Sequence, residues 1–553
     1  MDSQRLILLL VFTFSLVMLW DGWQKYNQPK TASAPAATQE AATPTPTPSQ
    51  ALTAAQSGAP AAVPVPGGTA APASGGTAKA TVRTDTMIAE VSALGGDIVH
   101  LELLEHKATA DKAKNFVLFD SGEQHVYLAQ SGLIGEGLPS HKTLFALEQG
   151  NYELKPGEDK VVVRLTAPET AGVKIAKVLT FKRGSYVIDV AYDITNQRPT
   201  ALASHAYFQL ARDSKLPEAE TSMVKTFTGP AVFTDETKYH KLEFSDIEKG
   251  KAKLPQKATD GWIGLVQHYF VGAWLPQGKV EREFFAQKVG ADLYTAGVIV
   301  PVPAIQPGAT GHVDMPLYAG PQEQSKLEKL APGLDLVVDY GWLTVIAAPL
   351  FWLLEWLHKL VGNWGWAIIL LTVIIKLIFF PLSAASYKSM AKMRVVTPKM
   401  MKIKEMYGGD RARMNQEMME LYKKEKINPL GGCLPIVVQI PVFIALYWVL
   451  LGTAEMRHAP WVLWIQDLSA KDPYFILPII MGATMLIQTK LNPTPPDPIQ
   501  AKVMLFMPVI FTGMFLFFPA GLVLYWIVNN ILSIAQQWQI TRMIEGGKKP
   551  KAA

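Results

Sequence analysis

Five apolar segments follow residue 360, at about 364–382, 433–451, 475–489, 503–518 and 521–540, and none of them contains an Asp or a Glu. Runs of this kind fold against lipid as helices, because in hydrocarbon every backbone polar group has to be satisfied inside its own segment. The rest of the 553-residue chain must fit round that constraint. Its composition agrees: 49% of residues are hydrophobic and 18% charged, too apolar for an ordinary soluble enzyme. The single cysteine, Cys433, excludes an intramolecular disulfide and a Cys-cluster metal site, and no cofactor is expected.

Charge sets the orientation. The stretch 384–432 carries 11 Lys+Arg against 5 Asp+Glu, and the tail 541–553 carries four against one. The loop 453–473 has two basic residues and three acids. Basic loops stay in the cytoplasm, which puts 384–432 and the tail inside and 453–473 outside. The basic excess sits in the apolar part of the chain, so it reports membrane topology and no direct nucleic-acid partner. Trp342–Leu360 is also apolar, but it contains Pro349 and ends in Glu355, His358 and Lys359. If it crossed, the basic loop would face outside. We therefore expect a helix lying on the outer surface, anchored by Trp342, Trp352 and Trp356. Two segments, 475–489 and 503–518, reach only ~22–24 Å at 1.5 Å per residue, short of a ~30 Å hydrocarbon core.

The N-terminus supplies a sixth span. Leu6–Trp20 is apolar behind Arg5, and Trp20, Asp21, Gly22 and Trp23 stand where a cleavage site needs small residues. We read 1–24 as an uncleaved signal-anchor helix with its N-terminus inside. Residues 25–80 form a tether, low in complexity throughout 31–80, with too little apolar surface to offset its ordering entropy.

From 81 to 325 the period changes. Tyr186, Ile188, Val190, Tyr192 and Ile194 alternate with Val187, Asp189, Ala191 and Asp193, the mark of a half-buried strand. Arg183-Gly184-Ser185 joins it to Val178–Phe181 as a hairpin, and Lys160–Leu165 and Leu293–Val300 read as further strands. An all-β sandwich outside the membrane is predicted. Eight of the ten histidines are scattered through it, with no paired metal-ligand spacing and no nucleophile elbow. A linker and the surface helix occupy 326–360, and the helical core 361–540.

One charge lies inside the spanning helices after residue 360. Lys376 sits in Thr372–Phe380, ~9 Å from the cytoplasmic end of its segment. A lysine there costs ~2.5–3.5 kcal/mol on insertion scales, and no intramembrane carboxylate can pair with it. Gln439, Gln488, Asn529, Asn530, Ser533, Gln536 and Gln537 fall at similar inner depth, while the outer halves are nearly all apolar. That pattern predicts a wet cavity open to the cytoplasm and closed outside. The stretch 384–430 reads as a helical hairpin about the turn Gly408-Gly409-Asp410. It is rich in methionine, including Met390, Met393, Met400, Met414 and Met418, adaptable side chains suited to varied partners or to packing the two helices together.

Asn428-Pro429-Leu430-Gly431-Gly432-Cys433-Leu434-Pro435, Tyr387-Lys388-Ser389-Met390-Ala391-Lys392-Met393 and Phe518-Pro519-Ala520-Gly521-Leu522-Val523-Leu524-Tyr525 resemble the YidC and oxidase-assembly insertase family. The anchor and β domain resemble its Gram-negative branch. The resemblance implies a bacterial inner-membrane insertase and chaperone, not an enzyme, with six spans, both termini cytoplasmic and a periplasmic β domain. It implies nascent membrane proteins as clients, the Sec translocon and its accessory subunits as partners, contact with membrane lipids, and weak ribosome binding through the short basic tail. It assigns Lys376 as the groove cation, usually Arg in the family, with Thr372 as the groove threonine and Trp526 at an aromatic position commonly Tyr. Gln439, Tyr525 and Asn529 complete the expected groove. The five methionines named above are expected to touch clients. A polytopic transporter or channel is the alternative; it predicts internal repeats and paired intramembrane ions, which the unpaired Lys376 argues against.

Overall fold

The computed structural model describes residues 78–546 apart from residues 110, 123–124, 149, 218–225, 256, 426–433 and 493–497. The expected anchor, nearly all of the tether, most of the 428–435 motif with Cys433, and residues 547–553 of the tail lie outside the described residues.

Residues 79–321 build two nine-stranded sheets. In one, Leu202–Arg212 lies between Val126–Ile134 and Leu293–Ile305; in the other, Val187–Asn196 lies between Val173–Lys182 and Thr310–Pro321, all antiparallel. The alternation read from the sequence is the reason. Ile188, Val190, Tyr192 and Ile194 are all buried between the sheets, while Val187, Asp189 and Asp193 are half-exposed. Gly184 turns the hairpin with φ +64°, a conformation that glycine adopts without a Cβ penalty. Phe208 and Trp274 meet at 5.2 Å in the core. Two short helices, α1 (Phe244–Glu248) and α2 (Gln324–Leu330), flank the sheets.

The helical part comprises α3 (Thr344–Val361), α4 (Trp364–Ile378), α5 (Phe380–Tyr407), α6 (Arg411–Lys424), α7 (Leu434–Gly452), α8 (Ile476–Leu491), α9 (Pro498–Phe515) and α10 (Ala520–Gly546). α10 is central, packed against α4, α5 and α8. α3 packs on α4 and α7 through Ala347, Phe351, Leu354 and Leu357 and leaves Trp352 and Trp356 exposed. Pro349 does not interrupt it.

Three details depart from the sequence reading. The segment expected at 364–382 ends as a helix at Ile378 and turns by 67° into α5. Pro381 cannot donate to the Leu377 carbonyl, and its ring fits only the first turn of a new helix. Among the described residues, one helix alone is long and apolar enough to cross a membrane, and it is Thr344–Val361, the one expected on the surface. α4 with α5 passes as a bent pair, and Val438–Gly452, Ile476–Leu491 and Ala501–Phe515 are apolar but shorter. Length and composition therefore do not reproduce the expected six spans. α5 and α6 are joined about Gly408-Gly409-Asp410, with the Asp410 carboxylate capping α6 at Ala412 N and Arg413 N, both 3.1 Å.

Candidate functional site

α10 presents Tyr525, Asn529 and Ser533 at spacings of four, which stacks them on one face toward α4 and α7. From α4, Lys376 reaches this face. It is only 6% exposed, and its Nζ donates to Ser533 Oγ at 2.7 Å. That hydroxyl in turn donates to the Asn529 carbonyl at 2.7 Å. From α7, Gln439 Nε2 donates to Asn529 Oδ1 at 2.5 Å and lies 3.4 Å from Tyr525 Oη. Lys376, Asn529, Gln439 and Tyr525 thus form one polar seam, with Ser533 at its centre. Depth in the sequence marks Ser533 only as one more polar group; its spacing of four from Asn529 is the signal that it belongs with Lys376.

Thr372 lies one turn before Lys376 and is fully buried, but its hydroxyl donates back to Ile368 O at 2.7 Å. Trp526 is turned the other way. Its ring meets Phe443 edge-on at 4.7 Å and Phe515 at 5.4 Å, and its Nε1 has no hydrogen-bond partner among the described residues. Phe443 also faces Tyr525 at 6.3 Å, so one α7 ring links Trp526 to the seam.

The remaining amides are largely paired across helices. Asn530 Nδ2 donates to Thr484 Oγ1 at 3.0 Å, and Gln537 Nε2 donates to Asn492 Oδ1 at 2.9 Å and Leu491 O at 3.1 Å. The polar inner half foreseen as a cavity lining is in this conformation mainly an interhelical network around one cation. The hairpin methionines divide. Met400 is buried with Val396, and Met393 and Met418 pack on that pair, sealing α5 to α6. Met390 and Met414 are half-buried, whereas Met401, Met406 and Met419 are exposed.

The opposite ends of the helices are tied to the β domain. Arg457, between α7 and α8, places its guanidinium 5.4 Å from the Phe116 ring, 5.3 Å from Phe270 and 5.9 Å from Tyr269. Its Nη2 donates to Lys107 O and, at 3.2 Å, to Thr109 Oγ1. His268 Nε2 lies 3.1 Å from Leu451 O at the end of α7. Asp472 is fully buried and accepts from Trp464 Nε1, Tyr474 N and Leu477 N at 3.0, 3.0 and 2.7 Å. Burial holds His106 and His268 down at about 4 and pushes the Glu455 carboxyl up to about 7. Among the described residues no cluster of three or more His, Cys, Asp or Glu could hold a metal ion.

Two family profiles match the chain: one described as the YidC periplasmic domain over residues 79–353, the other as the 60Kd inner membrane protein over 356–548. A membrane protein insertase YidC of Aromatoleum aromaticum is 68% identical over 99% of both chains, and one of Dechloromonas aromatica 61% over 99% of both. A crystal structure of an active YidC insertase with its first transmembrane domain resolved is 19% identical, covering 83% of this chain and 94% of that one at a TM-score of 0.39.

Proposed function

Because this chain belongs to the YidC family of membrane protein insertases, we propose that it inserts its clients through the seam around Lys376, which captures a polar or acidic client stretch by charge. Insertion, and not bond-making catalysis, is the activity. One observation carries the seam assignment. Lys376 is buried among apolar helices, its hydrogen-bond partner among the described residues is the neutral hydroxyl of Ser533, and the spanning segments after residue 360 offer no carboxylate. A client carboxylate 4 Å from the ammonium gains ~1 kcal/mol in water but ~4 kcal/mol at an effective dielectric near 20. The bond to Ser533 exchanges without leaving that hydroxyl orphaned, because it already donates to Asn529 O. Such a hold is strong enough to delay the client and weak enough to release it to lipid. Gln439, Asn529 and Tyr525 continue the polar wall, Thr372 and Trp526 shape its flanks, and Met401, Met406 and Met419 join the half-buried Met390 and Met414 as the hairpin's adaptable surface. Met393, Met400 and Met418 hold the hairpin together. The Sec translocon, with its accessory subunits, and a weakly held ribosome are the proposed partners on the membrane and cytoplasmic sides.

The proposed topology has six spans: the N-terminal anchor, α4, α7, α8, α9 and α10. The β domain is periplasmic, both termini are cytoplasmic, and α3 lies on the outer surface of the inner membrane. Contacts at both ends of α3 support this. It follows directly from the β domain, and the residue after its C-cap, Asn363, donates to Pro460 O at 3.0 Å. Pro460 belongs to the 453–473 loop that Arg457 fixes to the β domain. A helix with both ends on one side does not cross. In a Cys433-free variant, a cysteine at the exposed position 406 should label only from inside and one at the exposed position 463 only from outside; labelling of 406 from outside defeats the scheme.

The capture role is tested by pairing Lys376→Arg, Lys376→Ala and Lys376→Glu with one client whose translocated tail is acidic or neutralised. Arg should be tolerated, Ala should slow the acidic tail about tenfold, a loss near 1.4 kcal/mol, and Glu should be worst. Equal slowing of both tails by Lys376→Ala would mean the residue shapes the seam without capturing charge.

A further inference from the structure

Between the β domain and the end of α7 lies a cavity of about 390 Å³, separate from the Lys376 seam. That is within the ~300–1,000 Å³ range of small-molecule sites. Its walls come from the turn between strands Trp262–Gln267 and Phe270–Trp274, from residues 337–341 ahead of α3, and from the last turn of α7. The lining is divided by chemistry. Trp448, Leu451 and Val338 make an apolar side, while Lys241, Asp339 and Glu243 supply charge. Lys241 is ion-paired with Asp339 and lies 5.0 Å from the Phe227 ring centroid. Glu243 is exposed.

We propose that this cavity binds a phospholipid of the outer leaflet whose head group joins a phosphate to a primary ammonium. The proposal rests on the topology above, which puts the end of α7 and the start of α3 at the depth of outer-leaflet head groups. An amphiphile meets both halves of the lining: glycerol and first acyl carbons against Trp448 and Leu451, head group toward the charges. Lys241 takes the phosphate, and Glu243 and Asp339 take the ammonium as charge-assisted hydrogen bonds. An anionic head group without a cation finds Lys241 but also two carboxylates, and like-charge approach disfavours it. A quaternary ammonium carries charge but no N–H donor, so it ranks below a primary one.

The test uses the full-length chain in detergent, with native mass spectrometry of equimolar phosphatidylethanolamine and phosphatidylglycerol of identical acyl chains. The unmodified chain should retain phosphatidylethanolamine about tenfold over phosphatidylglycerol, the ratio that 1.4 kcal/mol produces. Glu243→Gln, a change at an exposed position, should reduce that ratio, and Glu243→Gln with Asp339→Asn should bring it to about one. Lys241→Ala should reduce both adducts. Equal retention by the unmodified chain, or a preference that survives the double substitution, overturns the site. Detergent has no inner or outer side, so a failed preference removes the lipid site alone. A cysteine placed in the β domain that labels only from the cytoplasm removes the topology instead.

Discussion

The two ends of the helical bundle handle charge in opposite ways. At the β-domain end, Arg457, Asp467 and Asp472 each meet several partners: rings and a carbonyl, a histidine and a serine, an indole and two amides. At the opposite end, Lys376 has one hydrogen bond among the described residues, to a hydroxyl that would be satisfied without it. A buried charge surrounded by dedicated partners is part of the scaffold, because removing any member strands the others. A buried charge with one replaceable neutral partner costs stability and is left over for something else. Substitutions at the β-domain end should therefore unfold, and those at the Lys376 end should disarm.

The largest effect is expected at Asp472. Asp472→Ala strands the Trp464 indole N–H and the amides of Tyr474 and Leu477, and at ~1–3 kcal/mol for each unpaired donor the loss should be ~3 kcal/mol or more. Thermal unfolding in matched detergent should show a large drop in Tm with the 453–473 loop opened to hydrogen exchange. A loss below 1 kcal/mol would erase the contrast between the two ends.

Arg457→Ala should cost less, ~2 kcal/mol, because cation–π contacts give ~0.5–1 kcal/mol each where partly exposed. Its readout is local: faster exchange in 107–116 and 453–473 together, with the helical seam unchanged. Arg457→Lys should recover only part, since an ammonium cannot stack its plane on the rings. This contact also changes what the β domain is for. The tether and the absence of catalytic signatures suggest a dispensable appendage, but Lys107, Thr109 and Phe116 are the platform on which the α7–α8 loop rests. Deleting 100–250 should disturb that loop even where insertion survives.

Such long-range facts are where the sequence stops being legible. Period-two alternation located Val187–Asn196 and its hairpin because both periodicity and turn are local. The turn Gly408-Gly409-Asp410 was legible for the same reason. The break after Ile378 was not, because hydropathy runs unchanged through Leu377–Phe380 and only Pro381 marks it. Arg457 on Phe116 joins residues more than 300 apart, and nothing local announces it. In the seam, depth alone gathered the right residue types, but it left Ser533 among them unmarked, although its spacing of four from Asn529 sets both on one face. Depth could not show that Asn530 and Gln537 are turned to partners on the α8 side, nor that Trp526 faces Phe515.

Glu455 sharpens the outer end through pH. Its carboxyl is raised to about 7, chiefly by burial, with Glu323 and Glu355 adding to the rise. An acid with a raised folded pKa favours the fold while protonated, so its contribution is present below about 4.5 and lost as pH climbs through 7. Glu455→Gln should raise Tm at pH 8 and leave it nearly unchanged at pH 4.5. His106 and His268, held at about 4 by burial, act in the opposite direction and weaken the fold as pH falls from 6.5 toward 4. Comparing the variant with the unmodified chain at each pH cancels their share. A Tm difference independent of pH would show that Glu455 acts by packing alone.

The smallest effect on stability, and the one that separates the two ends most sharply, belongs to Lys376→Met. Methionine keeps the length and the apolar stem and removes the ammonium. Ser533 keeps its bond to Asn529 O, so no buried donor is stranded. Replacing a buried charge with an apolar side chain of similar shape is often neutral or stabilising. Tm should therefore hold or rise by the equivalent of up to ~1 kcal/mol, while insertion of a client with an acidic tail falls about tenfold. The opposite signs are the point: a scaffold residue cannot be removed with a gain in stability and a loss of function at once. If Lys376→Met lowered Tm as Asp472→Ala should, the lysine would be one more strut, and the contrast between a locked outer end and an available inner charge would fail.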